Sequence, residues 1–315
     1  MNILIADKFP ARWTEELAKH YAVTTNPALD ETTLPQAVAD TQILIVRSTK
    51  VPAAVIDAAP KLKLIIRAGA GYDTIDTAHA VQKGVAVCNC PGTNSIAVAE
   101  LAMALLLSLD RHICDNVFDL RRGVWNKAKY SKAKGIFGRT LGIIGLGNIG
   151  KEVAKRAQAF GMKVLAYDPF AKEETFTQLG ITRYTDLYQM AALCDAVTVH
   201  LPDTPQTHGL FNKKFFDCMK DGAIFINTAR GGLVNTQDLV DAMKTKHLRA
   251  ALDVYEKEPK ATDTAFDYTP FEGTDFYGTH HIGASTDQAQ DAVAQRAVEI
   301  INHYAKTNKF LYKVN

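Results

Sequence analysis

"TLGIIGLGNIGKEV", residues 140–153, is the stretch whose reading decides the fold. Residues 141–144 form an apolar, β-branched run of the length of a buried strand. The run passes directly into Gly145, Gly147 and Gly150, and residues 149–160 continue with a helical pattern. Three glycines alone occur by chance in turns. Between a strand and a helix, each has a task. Gly145 makes the tight turn, Gly147 lets the backbone approach a pyrophosphate, and Gly150 lets the helix pack on the strand. The first helical turn, Asn148 and Ile149, then offers its backbone N–H groups to the anion. The next apolar run, "KVLAYD", ends in Asp168, eighteen residues after Gly150. An acid at about this distance accepts hydrogen bonds from an adenosine ribose and repels a 2′-phosphate. The segment predicts a dinucleotide site that takes NAD rather than NADP.

The same alternation extends outward in both directions. Upstream, "NILIA" (2–6), "QILIVR" (42–47), "LKLIIR" (62–67) and "VAVCN" (85–89) read as buried parallel strands. Helical stretches at 52–59 and 74–83 lie between them, punctuated by Pro52, Pro60 and Gly84. Downstream, strands are expected at 163–168, 196–200, 223–227, 249–254 and 277–279, and an amphipathic helix at 287–304. Between the two series stands "IAVAELAMALLLSL", residues 96–109, a helix apolar on nearly all sides. Glu100 and Ser108 interrupt it, and it falls short of the roughly 18–20 residues that cross a bilayer. The expected fold is α/β, with two doubly wound parallel-sheet domains. Residues 1–97 with 285–315 form a substrate-binding domain, and residues 98–284 a Rossmann domain for NAD.

Composition excludes several other classes. A chain of 315 residues can hold two cores, because single cores stop growing near roughly 250–300 residues. Its apolar share of 47% and charged share of 22% are those of an ordinary globular protein. A net charge of +2 gives no electrostatic case for nucleic acid or a membrane surface. The five cysteines are scattered, and Cys88-Asn89-Cys90 has neither metal-site nor redox-motif spacing. No metal is expected, and the thiols fit a reducing cytoplasm. The opening "MNILIADKFP" is too short for a signal peptide.

Hydride transfer to a ketone needs a cation to hold and polarise the substrate, an acid for the developing alkoxide, and a group that supports that acid. In doubly wound sheets such groups belong at the carboxyl ends of strands. "NTARGGLVN" puts Arg230 there, "ALDVYEKEP" puts Asp253 and Glu258 there, and "HHIGAST" puts His280 and His281 there. Together with "RAGAGYDTID" and "VHLPDTPQTHGL", these runs resemble, in order and over nearly the whole chain, the D-isomer-specific 2-hydroxyacid dehydrogenases. The resemblance implies an NAD enzyme with Arg230, Glu258 and His281 as its catalytic set. The family's histidine precedes the motif glycine by two residues, usually after proline. His281 holds that place before Gly283, and His280 replaces the proline. The same resemblance adds His200, Pro202, Thr207, Thr228, Ala229, Arg230, Asp253, His281 and Gly283 to the cofactor contacts.

Arg47 and Arg67 end two strands of the first series and suit a phosphate through charge-assisted bonds. The segment Ala68, Gly69, Ala70 and Gly71 resembles the family's carboxylate-binding loop. "IVRSTK", "RAGAGYD", "GVWNK" and "HIGASTDQAQ" resemble the phosphoglycerate dehydrogenase branch. In that branch Lys127 matches a position that can reach the phosphate from a neighbouring subunit. The resemblance therefore implies a phosphorylated 2-hydroxy or 2-oxo acid as substrate, in the short form without C-terminal regulatory domains. A homodimer or homotetramer is expected, because the apolar 96–109 helix carries more apolar surface than one core needs and Trp125 lies nearby. Glyoxylate or hydroxypyruvate reduction, another D-2-hydroxy acid, or an NAD-sensing corepressor role are the alternatives.

Overall fold

Strands with no polar face must be covered on both sides, and this governs both sheets. The structure is a computed structural model that describes residues 1–259 and 265–315. It divides into two units, Met1–Asn94 with Ala284–Asn315, and Ser95–Gly283.

In the first unit, β1 (Asn2–Ile5), β2 (Ala22–Thr25), β3 (Ile43–Val46), β4 (Leu64–Arg67) and β5 (Ala86–Asn89) pair in the order β2-β1-β3-β4-β5. Every pairing is parallel. Side chains alternate across the pleat. Ile3, Ile5, Ile43 and Ile45 face a layer containing Ala297, Ile300 and Ile301 of the helix Asp287–Thr307. Leu4, Leu44 and Val46 face Val55 and Ile56 on the other side. The β2 strand was not expected from the sequence. It is an edge strand with a largely exposed "AVTT" pattern, so it lacks the apolar signal that marks its neighbours.

In the second unit, β6 (Thr140–Ile144), β7 (Lys163–Tyr167), β8 (Thr182–Tyr184), β9 (Ala196–Val199), β10 (Ile224–Asn227), β11 (Arg249–Leu252) and β12 (Phe276–Gly278) form one sheet. Its order is β12-β11-β10-β9-β6-β7-β8. The chain winds outward from β6 in one direction, then returns to β9 on its other side. The crevice at the carboxyl ends of β6 and β9 is therefore the switch point where such sheets bind ligands. The helix Ser95–Arg111 buries ten residues in this unit, including Leu105, Leu106 and Leu109. Most of its apolar surface is core, and no helix among the described residues is long and apolar enough to cross a membrane.

Candidate active site

The glycine turn after β6 is shaped by what a side chain would strike. Gly145 has φ +92°, and a Cβ there would lie 2.6 Å from the His200 carbonyl oxygen. At Gly150 a Cβ would overlap the carbonyl oxygen of Gly145, so only glycine lets helix and turn close together. Gly147 differs: nothing lies within 4 Å of a Cβ built on it. It is also the N-cap of the helix Asn148–Ala159 and supplies no side-chain cap. The first N–H groups of that helix thus face open space, as a bound pyrophosphate requires.

Asp168 follows β7 and accepts from the backbone N–H of Leu146 at 2.7 Å through Oδ2, and from Phe170 and Ala171 at 2.8 and 3.1 Å through Oδ1. It fastens the turn to the next strand and keeps one acceptor position on Oδ2 for a ribose hydroxyl. Two further groups lack protein partners. The Thr228 hydroxyl and His200 Nδ1 are buried without a hydrogen bond. His200 Nε2 lies 3.0 Å from Thr198 Oγ1. Burial pushes the His200 imidazole down to about 3, so the ring is neutral. Buried polar atoms without partners fit a polar ligand over this edge. Thr207, by contrast, uses its hydroxyl inside its own loop, donating to the Pro202 carbonyl at 2.6 Å. The residues present fit a dinucleotide.

The three expected catalytic residues follow three adjacent parallel strands. Arg230 follows β10, Glu258 follows β11 and His281 follows β12. Asn227, fully buried, ties the first loop by donating to the Arg230 carbonyl at 2.8 Å and accepting from Ala229 N–H at 2.9 Å. Gly231 and Gly232 press that loop inward. Side chains there would strike the Tyr255 carbonyl and the Asp203 carboxylate. Arg230 Nη1 donates to the Ala229 carbonyl at 2.7 Å. His281 Nδ1 and Glu258 Oε1 lie 2.6 Å apart. An ionised carboxylate only accepts, so Nδ1 carries the hydrogen and Nε2 is left for substrate. His280 is exposed and makes no hydrogen bond among the described residues.

His281 stands in the left-handed region, at φ 53°, which non-glycine residues seldom adopt without support. Asp253 supplies that support. Its side chain is 1% exposed. It accepts from Thr279 Oγ1 at 2.6 Å, Ile282 N–H at 2.8 Å and Gly283 N–H at 2.8 Å. Its own carbonyl accepts from His281 N–H at 2.8 Å. Tyr255, whose hydroxyl is pushed up to about 12 by burial, donates to the Thr279 carbonyl at 2.8 Å. Asp253 was expected among the cofactor contacts. Its carboxylate also has a task within the chain. The sequence signal for this was available: an acid directly after a buried apolar strand must find donors.

In the first unit, Arg47 N–H, Ser48 N–H and Thr49 N–H all donate to Asp7 Oδ2, at 2.6, 3.1 and 3.1 Å. The Arg47 guanidinium itself makes no hydrogen bond or ion pair among the described residues. Gly69, φ +156°, packs under the Arg67 guanidinium so closely that a Cβ would overlap Nη1. The Ala70 carbonyl accepts from Asn89 Nδ2 at 2.6 Å, which fixes the 68–71 loop. In the second unit, Lys127 is exposed.

Comparison with known proteins agrees with this geometry. Residues 103–283 match the NAD-binding domain of D-isomer specific 2-hydroxyacid dehydrogenases. A D-3-phosphoglycerate dehydrogenase of Methanocaldococcus jannaschii is 38% identical over 303 residues, 96% of this chain and 57% of that protein. The chain thus spans little more than half the length of that relative. A hydroxypyruvate reductase of Thermotoga maritima is 43% identical over 279 residues, 88% of this chain and 89% of that protein. Among solved structures, a Thermus thermophilus protein aligns over both full chains with TM-score 0.90 and 31% identity.

The role of Asp253 can be tested by removal. Asp253→Ala leaves one buried and two part-buried donors without an acceptor, each costing up to about 1–3 kcal/mol. We expect a loss of roughly 3–5 kcal/mol, read as a lower urea midpoint by circular dichroism, together with loss of turnover. An unchanged midpoint would mean that the loop is held by other contacts.

Proposed function

This chain belongs to the D-isomer specific 2-hydroxyacid dehydrogenase family, and on that premise we propose that it interconverts D-3-phosphoglycerate and 3-phosphohydroxypyruvate with NAD. The observation that carries the reaction type is the 2.6 Å pair of His281 Nδ1 and Glu258 Oε1. When bound, the nicotinamide supplies the hydride for reduction and accepts it for oxidation. In reduction, His281 donates its Nε2 proton to the carbonyl oxygen as that oxygen gains charge, and the ring becomes neutral. Glu258 keeps the Nδ1 hydrogen bond throughout, orienting the ring. Arg230 polarises the carbonyl and holds the substrate carboxylate. Oxidation reverses the proton path.

The phosphate reading rests on the uncommitted Arg47 guanidinium, with Arg67 and Lys127 as its companions. A second reading, hydroxypyruvate reduction, is favoured by the Thermotoga maritima relative, whose length this chain nearly matches. We place the enzyme in the cytoplasm, a reading supported by the unpaired thiols of Cys88, Cys90 and Cys194, each pushed up to about 12 by burial.

The assembly reading moves to a different surface. The helix Ser95–Arg111, expected to supply an exposed apolar face, is mostly core. Ile113, Val117, Phe118 and Leu120 stand exposed on the next helix, Ile113–Arg121, and Trp125 beyond it is 80% exposed. Exposed apolar residues concentrated on one short segment are normally covered, and a second copy of the chain is our assignment for the cover.

Three measurements test these readings. His281→Ala should lower kcat by about 10²- to 10⁴-fold with NADH binding retained, while His280→Ala changes it little. The reverse order would move the acid/base role to His280. The kcat/KM ratio for 3-phosphohydroxypyruvate over hydroxypyruvate should favour the phosphorylated substrate, and Arg47→Ala should lower that ratio by about 10- to 150-fold. A wild-type preference for hydroxypyruvate would establish the second reading. Light scattering should show a dimer or larger assembly, and Phe118→Glu should weaken it. A monomeric wild type at micromolar concentration would remove both the assembly and any role of Lys127 across it.

A further inference from the structure

The carboxyl ends of the second sheet hold the residues discussed so far. Its opposite edge holds a cavity of about 410 Å³. Three features of its lining locate it at the amino ends of strands. Arg139 precedes β6, Gly222 stands two residues before β10, and Arg249 is the first residue of β11. We propose that this cavity is a binding site for a small multivalent anion, a phosphate ester or a polycarboxylate of metabolite size.

The charges carry the inference. Two acids line the cavity, and both are already neutralised. Asp110, 1% exposed, pairs with Arg139 Nη1 at 3.2 Å and accepts from Gly135 N–H at 3.0 Å. Asp275 pairs with Arg249 Nε at 2.5 Å. Lys132 and Lys134 also line the cavity, and neither has a hydrogen bond or ion pair among the described residues. Two lysine charges are therefore left without a protein counter-charge, with the imidazoles of His112 and His247 beside them. Gly222 adds a steric observation. It has φ +69°, and a Cβ built on it would lie 3.8 Å from Lys134 Nζ, in ordinary contact beside the amine. The volume exceeds what a bare inorganic ion needs and lies in the range of about 300–1,000 Å³ typical of small-molecule sites. Multivalent anions are the ligands that two lysines and flanking arginines hold best.

A cation is the wrong occupant. His112, Asp115 and Asp275 present ligand atoms within 4.8 Å of one another, as a metal site would. However, Arg249 already fills that position. Its Nη2 lies 3.4 Å from both ring nitrogens of His112, and its Nε is on Asp275. The same guanidinium donates to the Leu109 carbonyl. The positive group is built into the wall, and the space beside it is left for an anion.

This inference does not depend on the proposed reaction, and its test is kept separate from it. The full chain, saturated with NADH to fill the dinucleotide site, is titrated by calorimetry with inorganic pyrophosphate and with citrate. Sodium chloride holds the ionic strength constant. The Arg47→Ala variant is titrated alongside, to remove the proposed substrate-phosphate contact. We expect saturable binding that survives Arg47→Ala and weakens at least tenfold in Lys132→Ala/Lys134→Ala, with recovery in Lys132→Arg/Lys134→Arg. Both lysines are exposed, so folding is retained, and circular dichroism verifies this. Tighter binding of pyrophosphate than citrate identifies a phosphate ligand, and the opposite order a polycarboxylate. Binding that is unchanged in the double lysine variant, or abolished by Arg47→Ala alone, overturns the proposal. So does the absence of any saturable signal with either anion.

Discussion

A buried carboxylate holds the site together. Asp253 is placed at the carboxyl end of β11 by an apolar strand that leaves it no access to water, and an ionised group in that position is tolerable only if donors surround it. The donors it finds are a hydroxyl and two N–H groups of the segment after β12. The same bonds that satisfy the charge fix the path of residues 279–283. His281 can then occupy a left-handed conformation and present Nδ1 to Glu258. The cost of burying the charge and the strain at His281 are offset by one set of bonds. Loosening either would release the other.

Glycine plays the complementary part, by clearance. Gly150 stands against the carbonyl of Gly145, Gly231 against that of Tyr255, and Gly232 against the Asp203 carboxylate. Gly147 alone of these faces open space, and that is where the backbone must be approached by something outside the chain. A reading of G-x-G-x-x-G as three interchangeable small residues would miss this division. Two of the glycines admit neighbouring backbone, and the middle one is left clear.

Much of this was legible in the sequence, because it is written locally. The buried strands declare themselves as apolar runs, and the dinucleotide turn as strand, glycines and helix within fourteen residues, 140–153. The order Arg230, Glu258, His281 follows from three such runs ending in turn. What escaped is of two kinds. The edge strands β2 and β8 have mostly exposed, mixed side chains, so no periodic signal separates them from loops. Contacts distant in sequence were also invisible. That Gly231 is required by the carbonyl of Tyr255, or that Asp253 turns toward residues 279–283, depends on which loops meet in space. The two adjacent histidines show the boundary between these cases. Spacing to Gly283 singled out His281, and the fold adds its 2.6 Å approach to Glu258, while His280 has no hydrogen bond among the described residues.

The strand that precedes the histidine is one of the two three-residue edge strands of its sheet. β12 has three residues, lies at the edge and pairs with β11 alone, from Ala250↔Phe276 to Leu252↔Gly278. So short a ladder specifies register weakly, and a slip of one residue would turn every side chain on it to the other face. Charged side chains of β11 and its flank fasten both ends. Arg249 at the start of β11 pairs with Asp275, the residue before β12, and Asp253 just past its end grips Thr279, Ile282 and Gly283 after it. Between them the strand has no freedom to slide. The register of the loop that holds His281 is therefore set in part from the far end of the sheet, by the same Arg249 that forms the wall of the basic cavity. Whatever draws on that guanidinium acts on one of the two fastenings that keep His281 in place.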